Sequence, residues 1–227
     1  MHPMRFASLN FPGAQVWTRD IDLFAPVSLL EEIAWAASLS IDAVRSMTLA
    51  KVILGDAGRQ DRGSAPTAWI TSVGMHGRSR TRYGLQFCPL CLQTDGVFIR
   101  TWRLTFAFAC PVHRIMLEDH CRACGSPVAP HRSRCSAAIC HCCGRPLEGS
   151  TGAENDSVID GALSVQERFL RYCESERLSF AGTTVERTDF FAGLGMILKV
   201  VREKMHSHPD VFNVEDQTVL DYSGPHF

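Results

Sequence analysis

CPLCLQTDGVFIRTWRLTFAFACPVHRIMLEDHCRACGSPVAPHRSRCSAAICHCC, residues 88–143, contains four closely spaced pairs of soft ligands: Cys88/Cys91, Cys110/His113, Cys121/Cys124 and Cys140/Cys143. A structural zinc ion takes four nitrogen or sulfur ligands, commonly as two such pairs. Four pairs in one stretch therefore predict two zinc ions per chain. Taken in sequence order, Cys88, Cys91, Cys110 and His113 form one site, and Cys121, Cys124, Cys140 and Cys143 form the other. Interleaved pairing stays open, and Cys135 or Cys142 are alternates at the second site. Gly125 and Gly144 each follow a second cysteine directly, where a tight ligand turn favours positive φ.

The rest of the chain reads as support for this stretch. The 227 residues are 45% hydrophobic, enough to bury a core. No charged segment followed by an apolar run opens the chain, and no apolar stretch is long enough to span a bilayer, so the expectation is a soluble cytoplasmic protein. In a reducing compartment the ten cysteines suit metal rather than disulfides. The formal charge of −1 argues against a protein that coats nucleic acid. Residues 51–150 nevertheless hold 13 Lys or Arg against 6 Asp or Glu, a formal +7. Seven ligand thiolates and two zinc ions reduce this to about +4, a modest field for local phosphate contacts.

The expected fold is mainly α-helical with small irregular or β zinc modules. Residues 1–26 read as an irregular arm. In region 27–87, Ser28 and Glu31 form a capping-box pattern ahead of Leu29, Leu30, Ile33, Ala34 and Ala37, and Ser40 caps a second helix with Ile41, Val44 and Met47 inward. This hairpin resembles a helix-turn-helix, although Arg45, Lys51 and Asp42 are few donors for reading bases. The Gly- and Ser-rich stretch before residue 77 is a loop without a phosphate-loop motif. Arg78, Arg80, Arg82 and Tyr83, with Arg100 and Arg103, are candidate contacts to nucleic acid or a partner, or else a solvated face. Within 88–147, the run around Trp102, Leu104, Phe106 and Phe108 suits a strand or a docked helix, with Trp102 and Phe106 in the core. Residues 148–157 read as a linker. Residues 158–205 form two helices, one with Val158, Ala162, Val165, Phe169 and Tyr172 on its face. The other is capped by Asp189, with Phe190, Leu194, Ile197, Val201 and Met205 inward. Residues 206–227 are an acidic tail.

Both predicted sites are closed by four protein ligands, whereas a catalytic zinc keeps a position open. The zinc-deaminase, H-E-x-x-H and serine-elbow patterns are absent. No enzymatic activity is expected.

RYGLQFCPLCLQTDG (82–96), TWRLTFAFACPVHRIMLEDHCRACGSPV (101–128), CHCCGRPL (140–147) and TDFFAGLGMILKVV (188–201) together resemble the TniQ family, the bacterial DNA-transposon target-selection proteins that include TnsD. The resemblance runs over residues 27–205. It implies a helical N-terminal part, two tandem zinc modules with the eight ligands above, trailing helices and a non-catalytic role. That role is an adaptor coupling target recognition, by DNA or an RNA-guided (CRISPR-associated) complex, to an AAA+ ATPase of the TnsC/TniB type and indirectly to the transposase. A homodimer through the terminal helices is a further expectation. The chain departs from the family in opening its first helix with Pro26-Val-Ser-Leu-Leu-Glu-Glu rather than Ser-Trp, and it lacks the long C-terminal DNA-binding extension of larger members. The alternative reading is a stand-alone zinc-dependent DNA-binding transcription regulator.

Overall fold

The computed structural model describes residues 20–49, 69–71, 84–133, 136–149, 156–180 and 182–207. The arm before residue 20, most of the Gly/Ser-rich loop, Arg78, Arg80, Arg82, Tyr83, Cys135, most of the linker and the tail beyond residue 207 lie outside the described residues. The described elements are mainly helical: α1 (Ile21–Phe24), α2 (Val27–Ala37), α3 (Ile41–Ser46), α4 (Pro89–Asp95), α5 (Asp156–Glu174) and α6 (Arg187–Ser207). Two antiparallel ribbons accompany them, β1 (Ala109–Cys110) with β2 (Ile115–Met116), and β3 (Arg177–Phe180) with β4 (Thr183–Glu186).

Pro26, not Ser28, precedes the first turn of α2, and no side chain caps it. Proline's fixed φ suits the entry to a helix, so α2 starts at Val27 and its N-cap lies two residues before the predicted Ser28 cap. The Ser40 side chain, by contrast, accepts from the Ala43 N–H at 3.1 Å and opens α3. Leu30 and Ala34 of α2 bury against Val44 of α3, with Ile33 and Ile41 alongside. The helix α3 is only six residues long, and Arg45 spends its guanidinium on Asp42 at 2.9 Å.

Two larger cores organise the remainder. One gathers Leu49, Trp69, Ile70, Leu104, Phe106, Ala107, Cys173 and Phe191, so it ties the N-terminal part to both C-terminal helices. Its aromatic rings meet edge to face or offset, as Trp69 and Phe191 do at 5.4 Å. The other core is formed around the ligand cysteines. The run around Trp102 forms no strand of the kind left open by the sequence, and its helical part is short. It is a 3₁₀ turn, Arg100–Arg103, followed by a bridge from Leu104 to Ile70. Trp102, Leu104 and Phe106 are buried, and so are the intervening Arg103 and Ala107. The alternation in sequence therefore does not translate into alternating faces.

The buried stripe of α5 is Ile159, Gln166 and Cys173, spaced by seven. The predicted face is rotated from it, for Val158 and Val165 are solvent-exposed. Gln166 explains the rotation. Its Oε1 accepts from the Phe108 and Ala109 N–H groups at 2.7 and 3.1 Å, and its Nε2 donates to the Ala109 carbonyl at 3.0 Å. A side-chain amide thus supplies the ladder partner that β1 lacks on that edge. Gln166→Leu leaves the buried N–H and carbonyl of Ala109 and the half-buried Phe108 N–H unpaired, and each buried group costs about 1–3 kcal/mol. We expect a loss of roughly 3 kcal/mol or more in urea unfolding of the zinc-loaded protein.

Candidate metal centres

The Cys88/Cys91 pair sits at the start of α4, with Cys88 at the N-cap and Pro89 in the first helical position. The amide ends of a helix favour the negative charge a ligand thiolate would bring. The other three pairs share a different local form. In each, the residue four after the first ligand has positive φ: Arg114 at 51°, Gly125 at 65° and Gly144 at 72°. Its N–H donates back to the carbonyl of that first ligand, at 2.8 Å for Arg114, 2.7 Å for Gly125 and 3.0 Å for Gly144. Antiparallel bridges close the last two turns, His120 to Pro127 and Ile139 to Pro146, while the β1–β2 ribbon closes the Cys110 turn. Glycine takes this backbone without a Cβ penalty. At Arg114 the cost of left-handed backbone is carried by a non-glycine residue, whose guanidinium reaches Asp160 at 2.5 Å on α5.

These elements bring the pairs together as two clusters, Cys88 with Cys91, Cys110 and His113, and Cys121 with Cys124, Cys140 and Cys143, whose potential ligand atoms all lie within 4.8 Å of one another. A zinc ion bound at about 2.3 Å to sulfur and 2.0–2.1 Å to nitrogen in a tetrahedron separates sulfurs by about 3.8 Å and sulfur from nitrogen by about 3.5 Å. The Cys91–Cys110 separation is 3.6 Å, and Cys121–Cys143 and Cys124–Cys140 are both 3.8 Å. His113 presents Nδ1, at 3.5, 3.2 and 3.7 Å from the sulfurs of Cys88, Cys91 and Cys110. The donor sets fit tetrahedral zinc. Backbone N–H groups of His113 and Cys142 reach the sulfurs of Cys110 and Cys140, each at 3.4 Å, a contact that favours the thiolate form. Cys142 itself is exposed and stands outside the second cluster.

The two clusters share one core. Cys88, Cys91 and Cys110 pack with Cys121 and Cys140 around Phe87, Leu92, Trp102, Val128 and Leu147. Burial, reinforced by the neighbouring thiols, pushes Cys91 up to about 12, and burial also raises Cys88 and Cys121. At Cys124 the Ser126 N–H pulls down, but desolvation and the three neighbouring thiols outweigh it and leave the group at about 12. Cys143 goes the other way, drawn to about 7 by the Arg145 N–H. Burial lowers His131 and His141 beside the second cluster.

The candidate contact residues fare differently. Arg103 is buried, its guanidinium held by Asp20 and Asp22 and donating to the Thr71 carbonyl at 3.0 Å. It is withdrawn from any phosphate. Arg100 remains exposed, with one nitrogen on the Ser46 carbonyl at the end of α3, 2.6 Å away. Sequence reasoning overlooked Asp20 and Asp22, the N-cap and a first-turn residue of α1, because they fall in the stretch read as an irregular arm.

No described helix is long and apolar enough to cross a membrane. No curated protein and no solved structure matches the chain. The TniQ family model matches residues 1–117, which include the whole first cluster and stop before the second. The match covers just over half of the chain, and the protein belongs to the TniQ family.

Proposed function

We propose that this protein is a non-catalytic adaptor in transposon target selection, holding two structural zinc ions and coupling a target-recognition component to an AAA+ ATPase. The first ion is held by Cys88, Cys91, Cys110 and His113, and the second by Cys121, Cys124, Cys140 and Cys143. The observation that carries the reading is the closed four-ligand geometry of the first cluster inside the family match. Four protein ligands at tetrahedral spacing leave zinc no open position for substrate or water, so the ion supplies rigidity rather than chemistry. A stapled platform holds surface groups in place without a large core around them.

Direct DNA binding by the isolated chain is weak on this reading. Of the described candidate contacts, Arg103 is committed to Asp20 and Asp22 and Arg45 to Asp42, which leaves Arg100 of that set to a phosphate. Target contact comes through the assembly, either on DNA or on an RNA-guided complex. Retention of the zinc-loaded protein on its neighbouring AAA+ ATPase, with DNA and nucleotide present, is the expected pull-down result. Absence of binding under all combinations, together with tight sequence-selective DNA binding by the isolated chain, would overturn the adaptor in favour of a stand-alone regulator.

A further inference from the structure

The two clusters differ in how far their sulfurs are covered. In the first, Cys88, Cys91 and Cys110 are all buried and His113 is half-buried. In the second, Cys121 and Cys140 are buried, at 1% and 4% exposure, but Cys124 and Cys143 face solvent. The asymmetry follows from the turns. Cys121 and Cys140 open their turns and belong to the core that both clusters share, whereas Cys124 and Cys143 each precede the positive-φ glycine at the outer end. That end is open, since a Cβ added at Gly125 or Gly144 meets no heavy atom within 4 Å.

The supports differ as well. The first module is tied to α5 twice, by Gln166 on the edge of β1 and by the pair of Arg114 with Asp160. The second is closed by its own His120–Pro127 and Ile139–Pro146 bridges and joined to Leu85 through the Val128 carbonyl at 2.8 Å. The first module thus has a frame of its own. On the two-zinc reading above, we infer that Cys124 and Cys143 are a redox-sensitive pair, oxidised by a peroxide to a disulfide that releases the second ion while the first is retained.

Oxidation of a thiolate follows its exposure, which selects these two sulfurs over the buried ones. They lie within 4.8 Å of each other, and a disulfide needs an approach to about 2.0 Å. One exposed thiolate attacks an oxygen of hydrogen peroxide, the O–O bond breaks, hydroxide leaves and takes up a proton, and a sulfenic acid is formed. The other thiolate attacks that sulfur, the S–S bond forms, and the second hydroxide leaves and takes up a proton. Two thiolates are oxidised to one disulfide, and the peroxide is reduced to two waters. The bond withdraws two of the four ligands, fewer than a structural zinc needs. Oxidation therefore loosens the turns of residues 120–147 and spares the site of Cys88, Cys91, Cys110 and His113, which lies inside the family match.

Peroxide titration of the full zinc-loaded chain, followed by native mass spectrometry and peptide mapping, tests this. The chain should pass from two ions to one with one disulfide formed per ion released, and the remaining ion should leave at least about tenfold more slowly. The disulfide should map to Cys124 and Cys143, and a thiol reductant with added zinc should restore two ions. Cys142→Ser should lose the ion at an unchanged rate, because that side chain is exposed but outside the cluster. Fewer than two ions before peroxide is added would overturn the two-zinc reading and this proposal with it. Two ions that leave together overturn this proposal alone, as does a disulfide formed among Cys88, Cys91 and Cys110 or through Cys142.

Discussion

Cys110→Ala lowers bound zinc from two ions to one in native mass spectrometry and melts the structure around Trp102, read by its fluorescence. The size of the effect follows from the coupling of metal binding to folding. A structural zinc contributes roughly 10–16 kcal/mol at neutral pH, as much as the whole stability of a typical domain. Cys110 also lies in the core that both clusters share, so the surviving second site binds its ion more weakly. Cys142→Ser serves as the control, since the Cys142 side chain is exposed and outside the cluster, and it retains two ions. Two ions in Cys110→Ala, or a native Trp102 signal with one, would refute the ligand assignment.

The thiols make this stability depend on pH in a definite direction. Cys91 and Cys124 titrate near 12 in the metal-free fold, above the ordinary 9.0. A raised thiol favours the metal-free fold below pH 9 and loses that contribution as pH climbs toward 12. The zinc-loaded form runs the opposite way, because the ion must displace those protons at neutral pH. Each displaced proton weakens apparent zinc affinity by about one log unit per unit fall in pH. Cys143, already near 7, contributes to this dependence only on the acid side of neutrality. Competition with a chelator across pH 6 to 8 should therefore give weaker retention at the acid end.

Arg103→Ala is the second large effect, a destabilisation of about 3–5 kcal/mol in urea unfolding. The Arg103 side chain is 9% exposed and its partner Asp20 is 7% exposed, so truncation strands a buried carboxylate. Arg103→Lys recovers only part of the loss, because an ammonium cannot span Asp20, Asp22 and the Thr71 carbonyl as the planar fork does. The paired change Asp20→Asn with Arg103→Met costs less than Arg103→Ala, since no unpaired charge is left inside. A loss under 1 kcal/mol for Arg103→Ala would mean that the ion pair is solvated rather than buried.

The clusters were legible because ligand spacing is a local property. Two residues between ligands, and glycine after Cys124 and Cys143, encode a turn without reference to distant chain. Ser40 was legible for the same reason. What escaped depended on tertiary partners. Gln166 is polar by composition, yet it occupies the centre of the buried stripe of α5 because the edge of β1 needs a donor and an acceptor there. Its spacing of seven from both Ile159 and Cys173 was the available signal. Arg103 reads as a surface cation until Asp20 and Asp22, some eighty positions away, are brought beside it. The apolar end of α6 reads as core at helical spacing, but Ile197 and Val201 face outward because the packed part of that helix ends near Leu194. The resemblance read across residues 27–205 overlaps the family match, which runs from residue 1 to residue 117.

The adaptor reading is tested most directly by integration in cells that carry the transposase, the AAA+ ATPase and a donor element. Deleting this chain, or supplying Cys110→Ala in its place, is predicted to abolish integration at the selected target while the ATPase and transposase remain present. Integration at unchanged frequency and unchanged sites without the chain would contradict the account.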